Sequence, residues 1–182
     1  MSCFASGTLI ATERGEIAVE RLLVGDLVLT RDNGYQRITA VSIRRMSGQF
    51  LLDNPHLRPI FIKAGALAED LPERDTMLSP NIRIPTIETS GRFLSRDVEQ
   101  MVPLKHLIDH KGVQQVDTIG VNYVYIAFSQ HEVVAANGVW IEAFNARDYS
   151  LKYACNAQRT ELFEIFPGQK SRHPGHRRSG RG

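Results

Sequence analysis

The chain has 182 residues, 42% of them hydrophobic, with 22 Lys and Arg against 20 Asp and Glu. That length supports one ordinary core and is too short for two comfortable domains once the polar end is set aside. The charges nearly cancel and no apolar run approaches the roughly 18 residues that span a bilayer, so nothing argues for a nucleic-acid or membrane partner, and no signal peptide is visible ahead of Cys3.

In chain order, residues 7–12 are β-compatible, and Glu13-Arg14-Gly15 turns them into a second short strand at 16–19. Val19, Leu22 and Leu23, spaced i, i+3, i+4, predict one helical turn that Gly25-Asp26 stops. A strand at 27–31, the turn Asp32-Asn33-Gly34 and a returning strand at 35–44 follow. Further strands are expected at 58–63, 76–78 and 83–87, with Ser79-Pro80-Asn81 as a turn at a strand end. The convincing helix lies near 103–108, where Leu104, Leu107 and Ile108 share a face behind Pro103.

Strands at 113–116, 122–128, 132–135 and 139–144 complete the pattern, with Asn137-Gly138 as a hairpin signal between the last two. Many short strands at close spacing predict a mostly β fold. The expected organisation is one domain over 1–150 and an extension over 151–168 packed through Leu162, Phe163 and Phe166. A basic tail over 169–182 is too polar to order itself.

Cys3 and Cys155 form neither a disulfide framework nor a metal-ligand spacing. A thiol reacts as thiolate and needs a base or positive surroundings, so Cys3 is a candidate nucleophile, although a lone cysteine is more often a small buried residue. His131, after a β-rich run, is a candidate for moving protons near neutral pH, against the ordinary reading of a packed histidine. The Ser79-Pro80-Asn81 turn could offer hydroxyl, amide or backbone donors to an oxyanion, or be only a turn. His106 and His110, four apart, lack a third ligand, and no metal or other cofactor is expected. Glycine-rich phosphate loops, a G-x-S-x-G elbow and a basic stripe interleaved with aromatics are all missing from the sequence.

Taken in order, four blocks carry a resemblance. Cys-Phe-x-x-Gly-Thr-x-Ile at 3–10 and Val-Glu-x-Leu-x-Val-Gly-Asp-Leu-Val at 19–28 come first. Asp-x-x-Leu-Ser-Pro at 75–80 follows, and His-Glu-Val at 131–133 with Ala-Asn-Gly at 136–138 comes last. Together they resemble a bacterial Hint (Hedgehog/intein) self-processing domain over roughly 3–145. The stretch 156–166 is similar to the short extension that follows such domains.

The resemblance implies a compact β horseshoe of two pseudo-symmetric halves and an autocatalytic, single-turnover reaction in cis. Cys3 would attack the carbonyl carbon of Ser2, giving a thioester by N-to-S acyl shift and cleavage of the Ser2–Cys3 bond. The chain's own N-terminal flank would be the substrate, and water or a thiol the second nucleophile. Ser79 would hold the scissile peptide with Asn81 beside it, and His131 would act on the acyl intermediate or the amide nitrogen.

This chain departs from the family pattern in three ways. The usual histidine three residues after the Ser/Thr is here Ile82, which transfers no proton, and such help is worth about 10²–10⁴-fold. The closing His-Asn of splicing inteins is here Glu142-Ala143, which implies cleavage without Asn cyclisation. As written, Met1 and Ser2 alone precede Cys3, so a dipeptide would leave. The rival expectations are a diverged Hint scaffold that binds rather than reacts, and a cysteine hydrolase acting in trans.

Overall fold

Short alternating strands joined by tight turns build two antiparallel sheets in the computed structural model, which describes residues 3–86, 100–108, 111–143, 160–161 and 164–167. In chain order the strands are β1 (Cys3–Ala5), β2 (Leu9–Thr12), β3 (Gly15–Ala18), β4 (Leu27–Thr30), β5 (Gly34–Arg37), β6 (Ala40–Ser47) and β7 (Ile60–Ile62). They continue with β8 (Thr76–Leu78), β9 (Arg83–Thr86), β10 (Gln100–Pro103), β11 (Val113–Gln115), β12 (Gly120–Ala127), β13 (Glu132–Ala136) and β14 (Val139–Ala143). One six-stranded sheet runs β11-β7-β8-β1-β12-β6; the other runs β14-β13-β2-β4-β5 with β3 paired to β2, and β9 and β10 form a separate ribbon. The mostly β expectation therefore holds.

β1, three residues long, is the strand that positions the site. It is flanked on both sides, by β12 with Cys3 opposite Tyr125 and by β8 with Phe4 opposite Leu78. All three of its residues are buried. Because strand side chains alternate, Phe4 enters the core shared with Leu78, Val124 and Ile126. Cys3 and Ala5 face the opposite cluster, with Tyr123, Tyr125, Ile165 and Phe166. The C-terminal residues thus cover the face of the sheet on which Cys3 lies.

Three local expectations need correction. The returning strand at 35–44 is two strands, because Ile38 ends the first hairpin through its bonds to Gly25 and Asp26 (2.9 and 3.0 Å) while the Thr39 N–H turns to the Ala127 carbonyl at 2.7 Å. From there β6 pairs with β12 over its whole length. Burial follows no alternation in either strand, so no two-residue period is there to mark the change of sheet.

Likewise, the helix near 103–108 is only a 3₁₀ turn at Leu104–Leu107. The Leu104 and Lys105 amides bond the carbonyls of Ile82 and Pro80 at 2.8 and 2.9 Å, which anchors the turn to the 79–82 loop. An α-helix, α1 (Gly48–Asp53), was missed in the sequence reading. The Ser47 hydroxyl caps it, accepting from the Phe50 N–H at 3.2 Å, and Leu51 is its buried residue. Lastly, the first strand region begins later than expected, at Leu9, with β1 ahead of it.

Ser2, Cys155, His110, the expected arm residues Leu162 and Phe163, and the tail at 169–182 lie outside the described residues.

Candidate functional site

Cys3 and Ser79 hold each other twice. The Cys3 N–H donates to Ser79 Oγ at 3.2 Å, and the Ser79 N–H donates to the Cys3 carbonyl at 3.0 Å. β8 ends at Leu78 opposite Phe4, so the strand pairing itself delivers Ser79 to Cys3 across 76 residues of sequence. Pro80 then stops the strand, since it has no N–H to give. Ser79 and Cys3 are both fully buried, and Cys3 is a free thiol.

Beyond Ser79 the turn closes through the Ile82 N–H to the Ser79 carbonyl at 3.2 Å. Ile82 is itself fully buried in the core with Phe4 and Leu78. Asn81 points the other way and meets a residue that the sequence reading did not single out: Glu161. The Asn81 backbone N–H donates to Glu161 Oε2 at 3.1 Å and the Asn81 side-chain amide donates to the same oxygen. Both donor groups of Asn81 are therefore directed at a carboxyl group.

Glu161 is 2% exposed. Burial raises its pKa above the ordinary carboxylate range, against hydrogen bonds from Asn81 and the Ser79 hydroxyl that favour the charged form. Cys3 feels the same surroundings: burial first, then the neighbouring Glu161 charge, push its thiol well above the usual range. Tyr123 is raised by burial, Glu161 and Cys3, and its hydroxyl donates to the Leu57 carbonyl at 2.8 Å. A signal for Glu161 was present in the sequence, because Glu161 and Ile165 lie i, i+4 and place a carboxylate on an apolar face. Glu164, in the same short stretch, instead faces solvent and pairs with His56 Nε2 at 2.9 Å.

His131 stands in a second cluster. Its Nε2 is 2.7 Å from Glu142 Oε1, with Arg83 Nη1 3.6 Å from the same oxygen, and Glu142 is almost fully buried. Among the described residues no hydrogen bond or ion pair joins His131 to Cys3, Ser79 or Asn81. The structure thus brings Cys3, Ser79 and Asn81 together and sets His131 beside Glu142. Among the described residues no group of three His, Cys, Asp or Glu side chains could hold a metal ion, and no helix is long and apolar enough to cross a membrane.

The chain belongs to the Hint domain family: the family model described as "Hint domain" matches residues 2–148. No curated protein matches it. Among solved structures it is similar to a DnaB intein from Synechocystis sp. PCC 6803, at 10% identity and a TM-score of 0.51 over 80% of this chain and 100% of that one. It is also similar to a variant of the gp41-1 intein, at 16% identity and a TM-score of 0.48 over 80% and 100%. A bacterial intein-like domain from Clostridium thermocellum matches at 12% identity and a TM-score of 0.45 over 79% and 99%. The fold is that of a self-processing domain.

Proposed function

We propose that the domain cleaves its own Ser2–Cys3 bond through a thioester. Cys3 Sγ attacks the Ser2 carbonyl carbon, so that a C–S bond forms and the carbonyl electrons move onto oxygen. Collapse breaks the C–N bond, leaving the Ser2 acyl group on sulfur and a free amine on Cys3. The proton lost by the thiol ends on that amine, so the step is an isomerisation that consumes nothing. Water or an external thiol then removes the acyl group.

The observation that supports this reading is the reciprocal pairing of Cys3 with Ser79 at 3.2 and 3.0 Å. It fixes the amide nitrogen that must leave and the carbonyl on its other side, which is positioning of the kind that lowers a barrier before any charge moves. Asn81 secures the turn that carries Ser79. His131, oriented by Glu142, serves the later step in which water resolves the acyl group. Position 143 is alanine, which has no side-chain amide to cyclise, so the reaction ends at cleavage rather than splicing. Neither cofactor nor metal enters the scheme.

One observation favours a second reading, a Hint scaffold that binds without reacting: the thiol is buried and raised, and the position of the usual histidine is an isoleucine sealed in the core. A folded tag fused ahead of Met1, incubated with dithiothreitol, separates the two. Release of the tag at Ser2–Cys3 supports self-cleavage. An intact fusion with a correctly folded domain supports the inert scaffold.

A further inference from the structure

We propose that Glu161 carries the proton of the acyl shift, taking it from Cys3 Sγ and returning it to the Cys3 nitrogen through the Ser79 hydroxyl. This rests on the chemistry proposed at Cys3 and names the group that performs its proton transfer. The acyl shift needs a base when sulfur attacks and an acid when nitrogen leaves, and Ile82 supplies neither.

Glu161 is the acidic residue of this cluster. It holds Asn81 at 3.1 Å through the backbone N–H and again through the side chain, and it lies within hydrogen-bonding reach of the Ser79 hydroxyl. Ser79 in turn accepts from the Cys3 N–H at 3.2 Å, so carboxyl, hydroxyl and leaving nitrogen form one chain. The balance is closed. Glu161 as carboxylate accepts the thiol proton as the C–S bond forms; its proton then passes to Ser79 as the Ser79 proton passes to the nitrogen on C–N cleavage.

A second observation shows that the cluster is built to hold that proton. Among the described residues, Glu161 Oε1 and Asn81 Oδ1 are buried without a hydrogen-bond donor. With Glu161 charged, two acceptors lie unpaired in a dry site, which is costly; a proton on Glu161 removes one acceptor and adds a donor. A carboxyl poised between the two states is suited to give and take a proton. The other titratable groups that act on it are the N-terminal amine, which favours its charged form, and Cys3 and Tyr123, both raised, while Glu164 on its own segment faces outward with His56.

The test uses the full chain with a folded tag fused ahead of Met1, comparing Glu161→Gln with the unsubstituted fusion for dithiothreitol-induced cleavage between pH 5 and 9, with circular dichroism to verify folding. The expected rate of the unsubstituted fusion falls on the acid side and reaches a plateau. E161Q is slowed at least about 100-fold and loses the plateau, rising with hydroxide instead. Cleavage of folded E161Q at the unsubstituted rate, or with the plateau kept, overturns the role of Glu161 and leaves the acyl shift standing. An unsubstituted fusion that is folded and never cleaves overturns both. If E161Q does not fold, the unsubstituted profile decides: a plateau supports the role, and a rate rising with hydroxide throughout overturns it.

Discussion

Ser79 satisfies the buried N–H of Cys3, so removing its hydroxyl orphans a donor where no water reaches. Ser79→Ala is expected to destabilise the fold by about 1–3 kcal/mol in chemical denaturation and to slow cleavage at Ser2–Cys3. Unchanged stability would mean that the hydroxyl is not the partner of that amide. The lesson for His131 differs. His131 is paired to Glu142 and not to Cys3, and the proposed reaction assigns it to the resolving step. His131→Ala is expected to leave the thiol-induced release unchanged while slowing spontaneous hydrolysis, read by comparing the two rates in one fusion. At this scale the sequence was partly legible: the blocks at 3–10 and 75–80 contain the two residues, Cys3 and Ser79, that the structure joins by hydrogen bonds. Glu161 was harder to find because its contact with Asn81 spans 80 residues, and its i, i+4 spacing to Ile165 marks an apolar face without naming the partner.

Among the elements, the β13–β14 turn shows how a legible hairpin also performs a long-range task. Asn137 adopts a φ of 47° and Gly138 one of 79°, which is the left-handed backbone that the Asn-Gly dipeptide predicts. Yet Asn137 Oδ1 also accepts from the Leu9 N–H at 2.9 Å, and its side-chain amide donates to Thr76 Oγ1 at 2.7 Å. One turn residue thus ties β13 to the approaches of β2 and β8, the strand that ends at Ser79. Asn137→Ala loses both bonds and places alanine at positive φ, at an expected cost of about 2–4 kcal/mol by urea unfolding. A cost below half a kcal/mol would mean that the turn is only a turn.

The C-terminal segment adds a pH signature. Because burial raises Glu161, its protonated form favours the folded state. That contribution is fully present below the unfolded carboxyl range of about pH 4.3, and is lost as pH rises through the folded pKa. The stability of the unsubstituted chain should therefore fall relative to E161Q as pH rises from 4 towards 8, before Cys3 and Tyr123, which titrate further alkaline, contribute. Parallel urea midpoints across that range would show that Glu161 does not titrate abnormally. What the sequence could not show here is equally physical. A six-residue helix with one buried leucine leaves no period to read in α1, and the absence of a clear alternation over residues 34–47 leaves the change of sheet at Ile38 unmarked.

At the scale of the molecule, the two sheets and the C-terminal residues enclose a thiol that few reagents should reach. β12 and β8 clamp β1 from either side, and Ile165 and Phe166 pack over the face on which Cys3 lies, with the Tyr125 and Phe166 rings 6.3 Å apart. Such enclosure suits a first step whose substrate is already attached, because the peptide needs no entry path. It is poorly suited to a hydrolase acting in trans. The central claim, that Cys3 becomes acylated by the segment before it, is tested most directly by intact mass of the tagged chain after treatment with dithiothreitol. The account predicts two species, the tag ending at Ser2 with the thiol attached and a domain beginning at Cys3, neither formed by Cys3→Ala. A single undivided mass from a folded protein, or equal release from C3A, would contradict it.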